Sequence, residues 1–207
     1  MVFGPDAGDR ALDRGRGRAL RPGHGQCGER ATVPDRSSAT PRAGNLPNFS
    51  IITPGGKDAQ FSEHNGFSIT TGDDWLGQIA SAIMDGPDWR STALFITWDD
   101  CGCFYDQDRP GVNPDGTPQG PRSPLIIVSP FAKSGFTDTA STSFAGILGF
   151  TEHNFGLSPL GPNGAQAYPF TNAFNFRQAP LRPARMIYRK WPSDAYHVNL
   201  AEGRDDT

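Results

Sequence analysis

Two adjacent aspartates, Asp99 and Asp100, follow an apolar run, Ala93-Leu-Phe-Ile-Thr-Trp98, and open a stretch that continues through Cys101-Gly-Cys-Phe-Tyr-Asp106. Side-by-side carboxylates repel unless a cation or hydrogen bonds offset them, and hard divalent metals favour such oxygen donors. The alternative role is local, with the Asp side chains bonding backbone amides of their own turn. His64 could give a metal the lone pair of a neutral imidazole; otherwise it is an exposed loop histidine. Arg122 could hold a phosphate oxygen through its forked guanidinium, or equally pair with a nearby carboxylate. Cys101 and Cys103 lack the second ligand pair of a zinc site and suit small side chains beside the acidic pair. With Cys27 in a different kind of sequence, the three cysteines make no disulfide framework.

The elements that must position these groups are legible in outline. The run 93–98 has the length and β-forming content of one buried strand, and a second such run is Leu125-Ile-Ile-Val-Ser-Pro-Phe131. In open α/β sheets ligands sit outside the carboxyl ends of strands, which is where Asp99 and Asp100 fall. Asn48-Phe-Ser-Ile-Ile-Thr53 reads as an earlier strand, stopped by Pro54-Gly-Gly56. Between them a helix opens at Thr71 or Gly72 with Asp73 and Asp74 in its first turn. Trp75, Leu76, Ile79, Ala80, Ile83 and Met84 form its apolar face, and Gly86-Pro87 ends it. Strand, helix and strand in this order predict a right-handed crossover between parallel strands. The Pro-, Gly- and Asn-rich residues 109–122 fit a long active-site connection. Thr139–Ser143 offer caps for a second helix whose inward face is Phe144, Ile147, Leu148, Thr151 and Phe155. That helix ends at Gly156 and leaves His153 in solvent. The tail after Leu160 is expected to wrap the domain and fray at 202–207.

The 207 residues suffice for one domain with a core, and the 19 basic against 22 acidic residues (net −3) point to no nucleic-acid or membrane-surface partner. Only 36% hydrophobic residues with 25 Gly and 19 Pro imply long loops or a disordered portion. No apolar run approaches the roughly 20 residues of a membrane span. Residues 1–44 are Arg-, Gly- and Asp-rich, without an apolar signal-peptide core, and are expected to be disordered; a nucleic-acid arm would have Phe3 alone for stacking. An out-of-frame or misassigned start joined to a genuine domain is the blander account of that segment. The ordered domain is expected over 45–207.

The motifs taken together resemble the phosphoesterase family of bacterial phospholipases C and acid phosphatases, a branch of the alkaline-phosphatase-like superfamily. The matching pieces are Ser62-Glu-His64, Gly72-Asp-Asp-Trp75, Pro87-Asp-Trp89, Thr97-Trp-Asp-Asp100, Cys101-Gly-Cys-Phe-Tyr-Asp106, Gly120-Pro-Arg122, Val128-Ser-Pro-Phe131 and Phe150-Thr-Glu152. They fall in the family's order over residues 45–180 and match its carboxyl-terminal half. The resemblance implies an α/β fold: a partial alkaline-phosphatase-like sheet, mostly parallel, flanked by helices. It also implies metal-dependent hydrolysis of phosphoric esters, with Asp99 and Asp100 as ligands of a divalent metal and His64 as a catalytic residue that is a further ligand or a phosphate contact. Arg122 would bind substrate. Gln107 stands where the family has a catalytic His after Phe-Tyr-Asp, and an amide cannot shuttle protons near neutral pH. Asn65 likewise replaces the family's Pro. The family's Glu-Asn-x-Ser-Phe-Asp motif, which belongs with further metal ligands and the nucleophile in the amino-terminal half, does not occur here. The expectation is therefore a truncated domain with half a site, exposed apolar surface and a tendency to aggregate; a non-catalytic remnant or binding module is the alternative. Export is an expectation from the family alone.

Overall fold

Ala93-Leu-Phe-Ile-Thr97 is the strand that the other elements cover. In a computed structural model of the chain, which describes residues 2–3, 46–54, 60–102 and 104–187, four strands make one sheet. They are β1 (Val2–Phe3), β2 (Phe49–Ser50), β3 (Ala93–Thr97) and β4 (Leu125–Val128), in the spatial order β2-β1-β3-β4. The longest ladder pairs Leu94 with Val128, Phe95 with Ile127, Ile96 with Ile126 and Thr97 with Leu125.

All three ladders are antiparallel, where a mostly parallel sheet was expected. The expectation rested on the strand, helix and strand order and on the family resemblance. Both faces of β3 are covered. Between β3 and β4, however, the described residues of 98–124 contain no crossover helix, and a return without one brings the chain back antiparallel. The β2-to-β3 connection keeps the expected sense in another way: β1 lies antiparallel to both, so β2 and β3 run in the same direction with one strand between them. Val2 and Phe3, inside the segment expected to be disordered, are an apolar β-forming pair in that segment. The other residues of 1–45, and 202–207 of the tail, lie outside the described residues.

Helix α1 (Ile69–Met84) starts earlier than the apolar spacing suggested, because Ser68 caps it by accepting from the Thr71 amide at 3.3 Å. Asp73 and Asp74 therefore lie beyond its first turn. Its Ala80, Ile83 and Met84 pack with Leu46, Trp89 and Leu94 on one face of the sheet. The opposite face carries Ala93, Phe95, Ile147, Phe170, Ala173 and Phe174. Direct partners in a ladder share a face, which is why Leu94 and Val128 join the first cluster and Phe95 and Ile127 the second. The result is three layers, helix on sheet on helix.

Helix α2 (Ala145–Phe155) ends at Gly156 in the left-handed conformation, as expected, and His153 is exposed. Its inward face differs from the expected one. Phe144 and Leu148 are exposed, while Gly146, Ile147, Gly149 and Glu152 are buried. The glycines let the short helix α3 (Pro162–Gln166) and the Tyr168 carbonyl approach the backbone, which a reading based on large apolar side chains misses. Glu152 accepts from the Leu160 amide at 2.8 Å through Oε1 and so ties down the turn after α2. The tail does wrap the domain as far as 187: Leu181 donates to the Pro130 carbonyl at 2.8 Å, and its own carbonyl accepts from the Trp89 indole at 3.1 Å. Among the described residues no helix is long and apolar enough to cross a membrane.

Phe95, 1% exposed, meets Phe150 and Phe170 with ring centroids 5.0 and 5.6 Å away. Phe95→Ala is expected to cost about 3–5 kcal/mol. Urea unfolding followed by circular dichroism checks this, and a loss below about 1 kcal/mol would remove Phe95 from the centre of the core.

Candidate functional site

The carboxyl end of β3 delivers Trp98, Asp99 and Asp100 to the surface, where both carboxylates are exposed. Asp100 Oδ1 accepts from the Gly102 amide at 2.6 Å, an Asx turn that fixes one of the two side chains by local backbone. The second candidate loop, Ser62–Asn65, is tied to this one at two points. The Trp98 indole donates to Glu63 Oε2 at 2.8 Å, and Asn65 Nδ2 donates to the Gly102 carbonyl at 3.2 Å. His64 lies between those two anchors in sequence.

The His64 ring is exposed, with Nδ1 3.0 Å from the carbonyl of Asn65. A carbonyl only accepts, so Nδ1 carries the proton, and in the neutral ring the lone pair is on Nε2. That is the tautomer a ligand needs. Glu63 is half-buried, and burial pushes its carboxyl above the usual range. The Trp98 hydrogen bond works against that rise, and the nearby Asp73 charge adds to it. Among the described residues no three His, Cys, Asp or Glu side chains form a group that could hold a metal ion. Asp99, Asp100 and His64 are thus brought to neighbouring loops without completing a three-donor group. Cys101 is a free, half-buried thiol, while Cys103 is outside the described residues.

Arg122 is held by carboxylates. Its Nε and Nη2 donate to Asp106 Oδ2 and Oδ1 at 2.9 and 2.8 Å, and its backbone amide adds a third bond to Oδ2 at 3.0 Å. Nη1 pairs with Asp108 Oδ2. Of the two roles open to Arg122, this geometry displays the pairing with carboxylates. Gln107 sits exposed between Asp106 and Asp108, the two aspartates that hold Arg122. The Arg122 side chain, first, and then the Asp108 and Arg122 amides, hold the Asp106 carboxyl well below the ordinary carboxylate range. The loop thus closed is not featureless: Val112 bridges Pro118, and Asn113 donates to the Thr117 carbonyl at 2.8 Å.

A cavity of about 350 Å³ lies beside the acidic pair, lined by Ile51, Trp75, Ile79, Ile96, Phe144 and Asp99 among others. Its walls are mainly apolar, and Asp99 is one of its few polar lining residues. Sequence reasoning missed Glu63, Trp98 and Asp106 as site-building residues. Trp98 reads as the end of an apolar strand, and nothing in spacing shows that its indole reaches across to another loop.

Comparison with known proteins gives the arrangement a context. Residues 27–158 match the model of the Phosphoesterase family. The chain is 28% identical over 166 residues to a non-hemolytic phospholipase C of Burkholderia pseudomallei, covering 64% of this chain and 23% of that protein. It is 26% identical over 183 residues to phospholipase C B of Mycobacterium tuberculosis, covering 74% of this chain and 34% of that protein. Against non-specific phospholipase C6 of Arabidopsis thaliana it is 30% identical over 111 residues, covering 44% of this chain and 21% of that protein. The chain spans between about a fifth and a third of the length of these relatives.

The Asp106 clamp has a definite pH sign. Its folded pKa is depressed, so its contribution is present above the unfolded carboxylate range and is lost only as pH falls below that range. An NMR titration of the Asp106 carboxyl carbon is expected to show it still ionised at pH 3.8, where free Asp is half protonated. A midpoint at the ordinary value would mean that the clamp does not form in solution.

Proposed function

The chain belongs to the phosphoesterase family, and on that premise we propose that it is the ligand-bearing carboxyl-terminal part of a phosphoric-ester hydrolase of phospholipase C type. The observation that carries this reading is the pairing of the Asp99–Asp100 tip with the loop of His64, beside a mainly apolar cavity that Asp99 helps to line. A substrate with a phosphate ester at one end and an apolar body at the other suits that juxtaposition. This favours a phospholipase over an acid phosphatase acting on small soluble esters.

Metal dependence belongs to the proposal as well. Carboxylate oxygens and an imidazole nitrogen are suitable donors for a divalent ion, which would neutralise charge on the phosphoryl group. Because no three such donors group together among the described residues, the remaining ligands and the nucleophile would come from another part of the protein. The chain's own residues do less. Asp99 and Asp100 present negative charge at the end of β3, His64 holds its Nε2 lone pair outward, and Arg122 orders the loop instead of meeting substrate. We extend the proposal to the fold: the layered sheet, with β2 and β3 running alike, would be one portion of a larger alkaline-phosphatase-like sheet.

A second reading, a non-catalytic remnant or binding module, is favoured by Gln107 in the position of the family's His. Hydrolysis of p-nitrophenyl phosphate and p-nitrophenylphosphorylcholine by the purified chain, with calcium, manganese or zinc, tests whether this chain holds a complete site. The expected rate is no higher than that of an Asp99→Asn, Asp100→Asn double mutant. Turnover lost in the double mutant would instead show a complete site within this chain. In parallel, Mn²⁺ is expected to broaden the His64 ring resonances in the wild-type chain and not in the double mutant. Unbroadened His64 signals would sink the assignment of these residues as ligands.

A further inference from the structure

Glu63 combines three features that its sequence position does not announce. Its backbone lies at φ 61°, the left-handed region that side-chain-bearing residues seldom occupy. Its side chain is laid over helix α1 at Gly72, where a Cβ would overlap Glu63 Cγ, so the absence of a side chain there is what lets the carboxylate in. Its Oε2 then accepts from the Trp98 indole at 2.8 Å, one residue before Asp99. A strained backbone, a notch in a helix and a cross-loop hydrogen bond all serve one outcome. They turn the chain so that Glu63 points inward and His64 outward.

Resting on the phosphoester-hydrolase reading above, we propose that Glu63 is a positioning residue that clasps the His64 loop to the Asp99–Asp100 loop, with Gly72 as the notch that seats it. Glu63 touches no reacting group. It acts through Trp98, which sits at the end of the buried strand β3 and therefore transmits the position of the core to the loop of His64. Asn65 completes the clasp from the other side through the Gly102 carbonyl. Left-handed residues persist where the surroundings over-determine them, and here two loops and a helix do so.

The test uses two independent ways of opening the clasp and one of preserving it. Glu63→Gly suits the left-handed backbone but removes the carboxylate. Gly72→Ala favours the helix intrinsically but fills the notch. Glu63→Gln keeps the stem and an acceptor oxygen for the indole. Amide hydrogen exchange, read residue by residue, is expected to speed up by about tenfold at 62–66 and 98–102 in both opened variants, the size of one lost hydrogen bond. Exchange in β3 and in the second half of α1 should stay at wild-type rates, and Glu63→Gln should restore the loop rates. Mn²⁺ broadening of the His64 ring should weaken in Glu63→Gly and return in Glu63→Gln, which a purely structural contact would not produce. Wild-type exchange at 98–102 in Glu63→Gly, or global acceleration in all three variants, would overturn the clasp. If the wild-type chain shows no Mn²⁺ broadening, the ligand assignment fails, and the exchange pattern still decides the clasp.

Discussion

Burial of β3 on both of its faces is the constraint on which the rest of the structure depends. Leu94 and Ile96 point to the α1 side, where they meet Ile83, Met84 and Trp89, and Phe95 points to the aromatic cluster of Phe150, Phe170 and Phe174. A strand gripped from two sides can neither rotate nor slip in register, because a shift of one residue would exchange its two faces. Whatever follows such a strand starts from a fixed point. Asp99 and Asp100 occupy that place, so their location is set by packing several residues away, and the Asx turn of Asp100 then fixes one of the two side chains.

From that fixed point the site is assembled by polar contacts between loops. Trp98 reaches Glu63, Gly102 holds Asn65, and Asp106 and Asp108 hold Arg122. Each of these bonds is partly solvent-exposed, and exposed pairs contribute little to stability individually. Their importance is geometric: they choose which of many loop conformations accompanies a core that would fold without them. A surface built in this way separates stability, which resides in the apolar layers, from the arrangement of charge.

The layers were legible in the sequence because apolar residues mark them. The run 93–97, the face of α1 from Ile79 to Met84 and the stop at Gly156 all fall where composition and spacing place them. Strand direction was not legible: an apolar run buried on both faces looks the same in a parallel and an antiparallel sheet, and the absence of a helix in 98–124 was the better indicator. The inward face of α2 was misjudged because glycines can make a contact surface by what they lack. In the site, the residue types were legible and their partners were not. Arg122 offered a phosphate role and a carboxylate role on equal terms, and only three-dimensional proximity to Asp106 shows the pairing it makes.

The Asp106–Arg122 clamp also bears on how this region can change over time. It pins residues 106 and 122 together and makes the intervening chain a closed ring whose two ends do not depend on its contents. Lengthening a ring whose ends are already joined costs little, about 0.6 kcal/mol for each doubling of a flexible loop. The hairpin within it, from Gly111 to Gln119, is thereby insulated from the acidic tip of β3. Beyond the clamp the hairpin is tied to the domain through Asp115, which exchanges two hydrogen bonds with Asn163 of α3, so insertions or an exchanged segment that spare Asp115 would leave the charged groups where they are.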